Sequence, residues 1–204
     1  YLARMHMYKT VYYHKTVVGY ETLLRRIYEI IYNNYSDTLL PKNANDLKRL
    51  IENNDIALWH DDWLMGVLIK LYKDSLVPRE IRDLIGAFLF RRGYKIVLEK
   101  SKFSNDVLDL ENDEDVKELK SIINELGKYV KPYEIAMFID DIRIVEEDPH
   151  VAPRIIQGNK QSVAISYIEN SIIPKLPKKY HVKRLYALSS SWDIVAKIMR
   201  DKII

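Results

Sequence analysis

Apolar residues recur at helical spacing from the start of the chain. Val11, Val18, Leu23, Leu24, Ile27, Ile30 and Ile31 predict one long helix over residues 1–34, roughly 50 Å of it. Gly19 weakens its middle and predicts close packing against a neighbour. Asn33-Asn34 and Ser36-Asp37 end it. The first residues, Tyr1-Leu2-Ala3-Arg4, contain no Ser, Thr, Asp or Asn to cap the orphan N–H groups. A helix that starts in mid-element predicts that the chain continues a longer protein. Leu47, Leu50 and Ile51 predict a short helix capped by Asn45 or Asp46. Leu64, Val67, Leu68 and Leu71 predict another, capped by Asp61 or Asp62. Pro78 suits the first position of a third, striped by Ile81, Leu84, Ile85, Phe88 and Leu89. Arg91-Arg92 fall in its last turn and Gly93 is its expected stop.

After residue 93 the pattern changes. Tyr94–Leu98 reads as a strand, and Lys100–Asp113 as a polar connection. Asp113 is a cap for a helix carrying Val116, Leu119, Ile122, Ile123 and Leu126, with Gly127 near its end. Ile135–Ile139 and Ile142–Val145 read as two strands broken by Asp140-Asp141. Arg154–Gln157 and Ser162–Tyr167 flank Gly158-Asn159-Lys160 as a hairpin. Pro174 and Pro177 bracket a turn. Lys183–Leu188 is a further strand, and Ser190 or Ser191 caps a last helix, Trp192–Met199. The expected fold is mainly α with an α+β carboxy-terminal half: a helical part over 1–93 and an α+β domain over 94–204. There is no internal repeat.

Composition removes several functions. The 204 residues include no Cys, which excludes disulfides, thiolate zinc sites and a Cys nucleophile. No apolar run approaches the roughly 18 residues of a membrane span, and no secretory leader is recognisable, so a cytoplasmic protein with no membrane partner is expected. The net charge of +3 is small but concentrated. Residues 1–34 hold Arg4, Lys9, Lys15, Arg25 and Arg26 against Glu21 and Glu29, and the other 170 residues balance at 27 and 27. Eight of the 15 Tyr lie in residues 1–35, so an anionic partner is expected there. On an ideal helix Arg4, Tyr8, Val11, Tyr12 and Lys15 share an arc of about 100°. A guanidinium, an ammonium and two phenols suit a phosphorylated ligand that carries a ring. The plainer alternative is an interface helix with buried Tyr bodies and solvated tips.

The wording of this segment is more specific than its spacing. Arg4-Met5-His6-Met7-Tyr8 followed by Tyr12-Tyr13-His14-Lys15-Thr16-Val17 resembles the long helix after the metal site in HD-domain phosphohydrolases. The branch it resembles contains the deoxynucleoside triphosphate triphosphohydrolases. Weaker similarity runs through Leu58–Lys73, Phe88–Val97 and Ser171–Tyr186, where Arg184-Leu185-Tyr186 echoes the family's carboxy-terminal region. The resemblance implies that the first part continues an HD-type helical domain and that the parent hydrolyses a dNTP-like nucleotide. It implies substrate contacts by Arg4, Tyr8, Tyr12 and Tyr13, with Arg4 on phosphate and Tyr12 on the sugar. It assigns His14 and Lys15 to a nucleotide or assembly contact in a homo-oligomer. The family's metal ligands precede this helix, so a divalent metal is expected in the parent and none on this chain, which alone would be catalytically inert. Ala187 and Leu188 stand where some relatives carry phosphate-binding lysines.

His60-Asp61-Asp62 looks like a metal dyad but sits at a helix start. His6, His14, His60, His150 and His181 show no ligand spacing. Asp140-Asp141 and Glu146-Glu147-Asp148 offer carboxylates to a hard cation, but a solvated strand edge or turn is the default reading. Ser189-Ser190-Ser191 lacks a nucleophile elbow, and no Walker A loop or GxGxxG is present. Two other classes stay open. One is a non-catalytic assembly or regulatory module, with self-association along residues 1–35. The other is a module for single-stranded nucleic acid; the balanced charge after residue 34 counts against it.

Overall fold

The computed structural model describes residues 2–34, 43–58, 60–145, 153–156, 162–164 and 175–203. The long first helix is not continuous. α1 (Leu2–Met7) runs into a π-helical turn at Tyr8–Tyr12, and the chain breaks at Tyr13 before α2 (Lys15–Asn34). The cause is tertiary. The Tyr13 carbonyl accepts a bond of 2.7 Å from Nη1 of Arg184, which draws it out of the helical ladder. The Tyr13 N–H reaches back to the Tyr8 carbonyl at 2.8 Å, the wide ring of a π turn. The break sets Lys15 apart from Tyr8, Val11 and Tyr12, so the single face predicted for Arg4, Tyr8, Val11, Tyr12 and Lys15 is interrupted before Lys15.

The next helices match their apolar stripes and differ at their ends. Asn43, not Asn45 or Asp46, caps α3 (Ala44–Glu52) by accepting from the N–H groups of Asn45 and Asp46. α4 (Asp61–Lys73) has His60 at its cap position without a side-chain cap bond, and Asp61 and Asp62 occupy the first turn, where acids suit the dipole. α5 (Arg79–Leu89) follows Pro78 and stops at Phe90, before Gly93. Arg92 N–H bonds the Ala87 carbonyl at 2.8 Å and Arg91 N–H the Phe88 carbonyl at 3.2 Å. This is a Schellman ending whose left-handed residue, at φ 55°, is Arg91. Gly93 has another role: a Cβ there would lie 3.0 Å from the Tyr20 ring.

β1 (Tyr94–Ser104) is longer than predicted, as is β5 (Lys179–Leu188). Their charged outer halves pair with each other, Lys100 opposite Lys183 and Lys102 opposite His181. Between them lies α6 (Glu114–Leu126), capped as expected by Asp113 on the Val116 N–H at 3.1 Å. β2 (Ile135–Arg143) is one strand that passes through Asp140-Asp141. Both carboxylates find donors, Asp140 from Tyr13 and Asp141 from Lys179, so the acids do not interrupt it. β3 (Arg154–Ile156) and β4 (Ser162–Ala164) pair antiparallel, as the hairpin pattern requires. The Gly158-Asn159-Lys160 turn, the predicted strand ends at Gln157 and 165–167, Pro174, Glu146-Glu147-Asp148 and His150 lie outside the described residues. α7 (Trp192–Ile198) starts at Ser191, but the Ser191 hydroxyl bonds Glu134 at 2.5 Å instead of capping the helix.

The main sheet is antiparallel with order β1-β5-β2. One face carries Tyr94 and Tyr186 against Leu23, Ile27, Leu68, Leu84 and Ile85 of α2, α4 and α5. The opposite face carries Leu185 and Ala187 against Leu119 and Leu126 of α6 and Val195 of α7. The protein is thus a mixed α+β fold with helices on both faces of a three-stranded sheet. A Cβ on Gly19 would lie 2.8 Å from the Tyr94 carbonyl, so the missing side chain lets α2 lie against β1.

Candidate functional site

Two places hold the residues singled out by sequence. The first is the π turn. Tyr8 packs against Tyr12 and Tyr13 with ring centroids 5.3 and 6.3 Å away, and Tyr13 continues to Phe138 at 6.1 Å. Tyr12 is 54% exposed and free to meet a ligand. Tyr13 points inward, and its hydroxyl donates to Asp140 at 2.5 Å. Burial, then the bond to Asp140 and its charge, push the Tyr13 phenol far above its usual range. Its ring and hydroxyl anchor the turn to β2. His14 is exposed, and its Nδ1 accepts from the Thr16 N–H at 3.4 Å. Arg4 has its backbone in α1, and its side chain lies outside the described part of the structure.

The second place is a cavity of about 370 Å³ into which Lys15 projects, separated from the tyrosines by the break at Tyr13. Arg91 and Lys95 line it with Tyr20 and Trp192, and among the described residues no acid does. Each cation is set by the fold. The Lys15 carbonyl accepts from the buried Tyr186 hydroxyl at 3.1 Å, which fixes the start of α2. Arg91 occupies the left-handed end of α5. Lys95 lies 5.9 Å from the Trp192 ring centroid, and the indole N–H is held by the Ile96 carbonyl at 2.9 Å. Three cations and two aromatic rings thus line the same cavity. Arg184 holds the break at Tyr13 to the sheet. It is 4% exposed and donates 2.7 Å bonds to Glu99 and to the Tyr13 carbonyl.

Sequence reasoning found Lys15 but not Arg91, Lys95 or Trp192. Arg91 looked like an ordinary last-turn cation. The signal was there in two consecutive Arg and a Lys within five residues of a helix stop.

A second charged cluster is structural. Lys183 is 1% exposed and bonds Asp113 at 2.5 Å and Asp115 at 2.7 Å. Burial alone would raise the Asp113 carboxyl, but bonds from Lys183 and the Val116 N–H, and the charge of Lys183, hold it down to about 2. The bond and charge of Lys183 lower Asp115 as well, against its own partial burial. His60 Nδ1 lies 3.8 Å from Asp62, both exposed, and among the described residues no three His, Asp or Glu side chains gather as metal ligands. Nor is any described helix long and apolar enough to cross a membrane.

The sequence matches no protein-family model and no curated protein. Solved structures share the fold. A hypothetical protein from Aquifex aeolicus superposes with a TM-score of 0.61 at 16% identity, over 96% of this chain and 42% of that one. A phosphohydrolase from Bacteroides thetaiotaomicron VPI-5482 superposes with a TM-score of 0.54 at 17% identity, over 91% of this chain and 48% of that one. The chain thus spans less than half the length of either protein.

Proposed function

We propose that this chain is part of a metal-dependent phosphohydrolase of HD type acting on a dNTP-like nucleotide, and that it grips nucleotide through its phosphates. The observation that carries the reading is that Lys15, Arg91 and Lys95 line one cavity with no acid beside them among the described residues. The fold shared with a phosphohydrolase supports it. Arg4, Tyr8 and Tyr12 face substrate on the α1 side of the break, with Tyr13 holding the turn. Lys15, Arg91 and Lys95 hold a nucleotide on the other side, with the exposed His14 next to Lys15 in sequence. The described residues offer no ligand set for a divalent metal, so in this reading the metal is held elsewhere in the parent.

The test is nucleotide hydrolysis by the full-length parent protein. Arg4→Ala should weaken triphosphate turnover by about 2–4 kcal/mol of transition-state stabilisation. Tyr12→Ala should cost less and shift discrimination between sugars. Parental turnover in Arg4→Ala would remove the substrate role of this helix. An assembly module is the second reading. It is favoured by exposed apolar side chains on the same segment, Met7 at 45%, Val11 at 57% and Val17 at 45%. Sedimentation that finds a monomer at every concentration would end it.

A further inference from the structure

The outer edge of β2 borders a groove of about 1200 Å³ walled by α2 and α5. In an antiparallel pair, alternate residues turn both backbone groups toward the partner strand and the others turn both away. The Ile144 N–H bonds the Lys178 carbonyl, its direct partner if the β2–β5 register is continued. Even-numbered residues of β2 therefore bond β5, and odd-numbered ones face the groove. Two side-chain bonds agree. The Ile135 carbonyl accepts from Nη1 of Arg26 at 2.9 Å, and the Asp141 N–H is capped by the Asp140 carboxylate at 2.8 Å. Between these capped ends, the N–H and C=O groups of Met137 and Ile139 find no partner among the described residues.

An open edge with four unmet backbone groups specifies its occupant: an extended backbone. The groove is larger than the roughly 300–1,000 Å³ of a small-molecule site. Its charges cancel, with Arg25 and Arg26 against Glu29 and Glu80, whereas the charged residues described around the Lys15 cavity are all basic. Apolar side chains meet the edge from both sides of the sheet, Ile30 and Leu84 on one and Ile123 on the other. A strand placed there would have both faces covered, which favours uncharged, largely apolar residues at successive positions. We propose that β2 accepts an extended, uncharged, apolar segment of another polypeptide as a fourth strand, bonded to Met137 and Ile139. This docking edge is separate from the phosphate cavity.

The probe is a fluorescein-labelled nine-residue peptide of Val, Ile and Thr with a Lys at each end, titrated with the full chain and read by anisotropy. It should bind saturably. Methylating the two peptide nitrogens that would face Met137 and Ile139 leaves the protein untouched and should weaken binding about tenfold or more. Met137→Pro removes an outward N–H, a change that an edge strand tolerates, and should keep the far-UV spectrum while losing the peptide by a similar factor. Equal binding by the methylated peptide, or by a folded Met137→Pro chain, would overturn the proposal. So would the absence of saturable binding up to about 1 mM. A dimer of the chain alone that Met137→Pro abolishes would assign the edge to a second copy and overturn it too.

Discussion

Replacing Arg91 with Gly should make the protein more stable and a worse binder. Arg91 ends α5 at φ 55°, where an L-residue is strained. The left-handed conformation costs roughly 1–2 kcal/mol for a residue with a Cβ. Gly removes that strain but adds roughly 0.5–1 kcal/mol of backbone entropy lost on folding. The two Schellman bonds use backbone only and survive. Arg91 is exposed and makes no ion pair among the described residues, so little packing is lost. The net expectation is a gain of about 0.5–1 kcal/mol, or about 1–4 °C in Tm for a chain of this size. Urea unfolding read by circular dichroism measures the gain, and a parallel titration with dGTP measures the loss of affinity. A fall in stability beyond about 0.5 kcal/mol would mean that the Arg91 side chain holds the fold and is not strained there. A gain in stability with unchanged affinity would remove Arg91 from the phosphate seat.

Three further outcomes follow from the packing. Arg184→Met strands Glu99 and the Tyr13 carbonyl and should cost about 2–4 kcal/mol, with faster amide exchange at the turn after Tyr13; unchanged exchange there would show that the break does not depend on Arg184. Gly19→Ala sets a Cβ 2.8 Å from the Tyr94 carbonyl and 3.2 Å from the Tyr186 ring, and should cost about 1–3 kcal/mol in urea unfolding; a neutral result would mean that α2 moves freely off β1. Acid should weaken the protein through Asp113. Its folded value, about 2, lies below its ordinary 3.8, so its contribution is complete above about 3.8 and is lost as pH falls through about 2. The cluster is open at Asp115, 32% exposed, which argues for about 1–2 kcal/mol. Urea midpoints between pH 2 and 5 should show this loss in the wild type and less of it in Lys183→Met.

Local rules located what local forces decide. The apolar stripes of α4, α5 and α6 and the Asp113 cap could be read directly because each lies within one segment. The larger errors have their cause in distant partners. Tyr13 breaks a periodic helix because Arg184, 171 residues later, takes its carbonyl. Asp140-Asp141 stays within a strand because Tyr13 and Lys179 supply donors. The outer half of β1 looks like loop until Asp113, Asp115 and Glu118 pair with Lys100 and Lys102, and the start of β5 until Asp141 pairs with Lys179. The cavity draws on three separate stretches, around Lys15, Arg91 and Trp192, so only its first residue stood out. Arg91 was concealed further by standing where Gly is the expected end of a helix.

The reading stands or falls on whether the Lys15 cavity selects phosphate. Calorimetric titration of the chain with dGTP and with deoxyguanosine, repeated on the Lys15→Ala/Arg91→Ala/Lys95→Ala triple variant, answers it. The triphosphate should bind the wild type at least about tenfold more tightly than the nucleoside, with an affinity that falls as salt rises and drops by about a further tenfold or more in the triple variant. Equal affinity for nucleoside and triphosphate, or a folded triple variant that binds dGTP like the wild type, would contradict it.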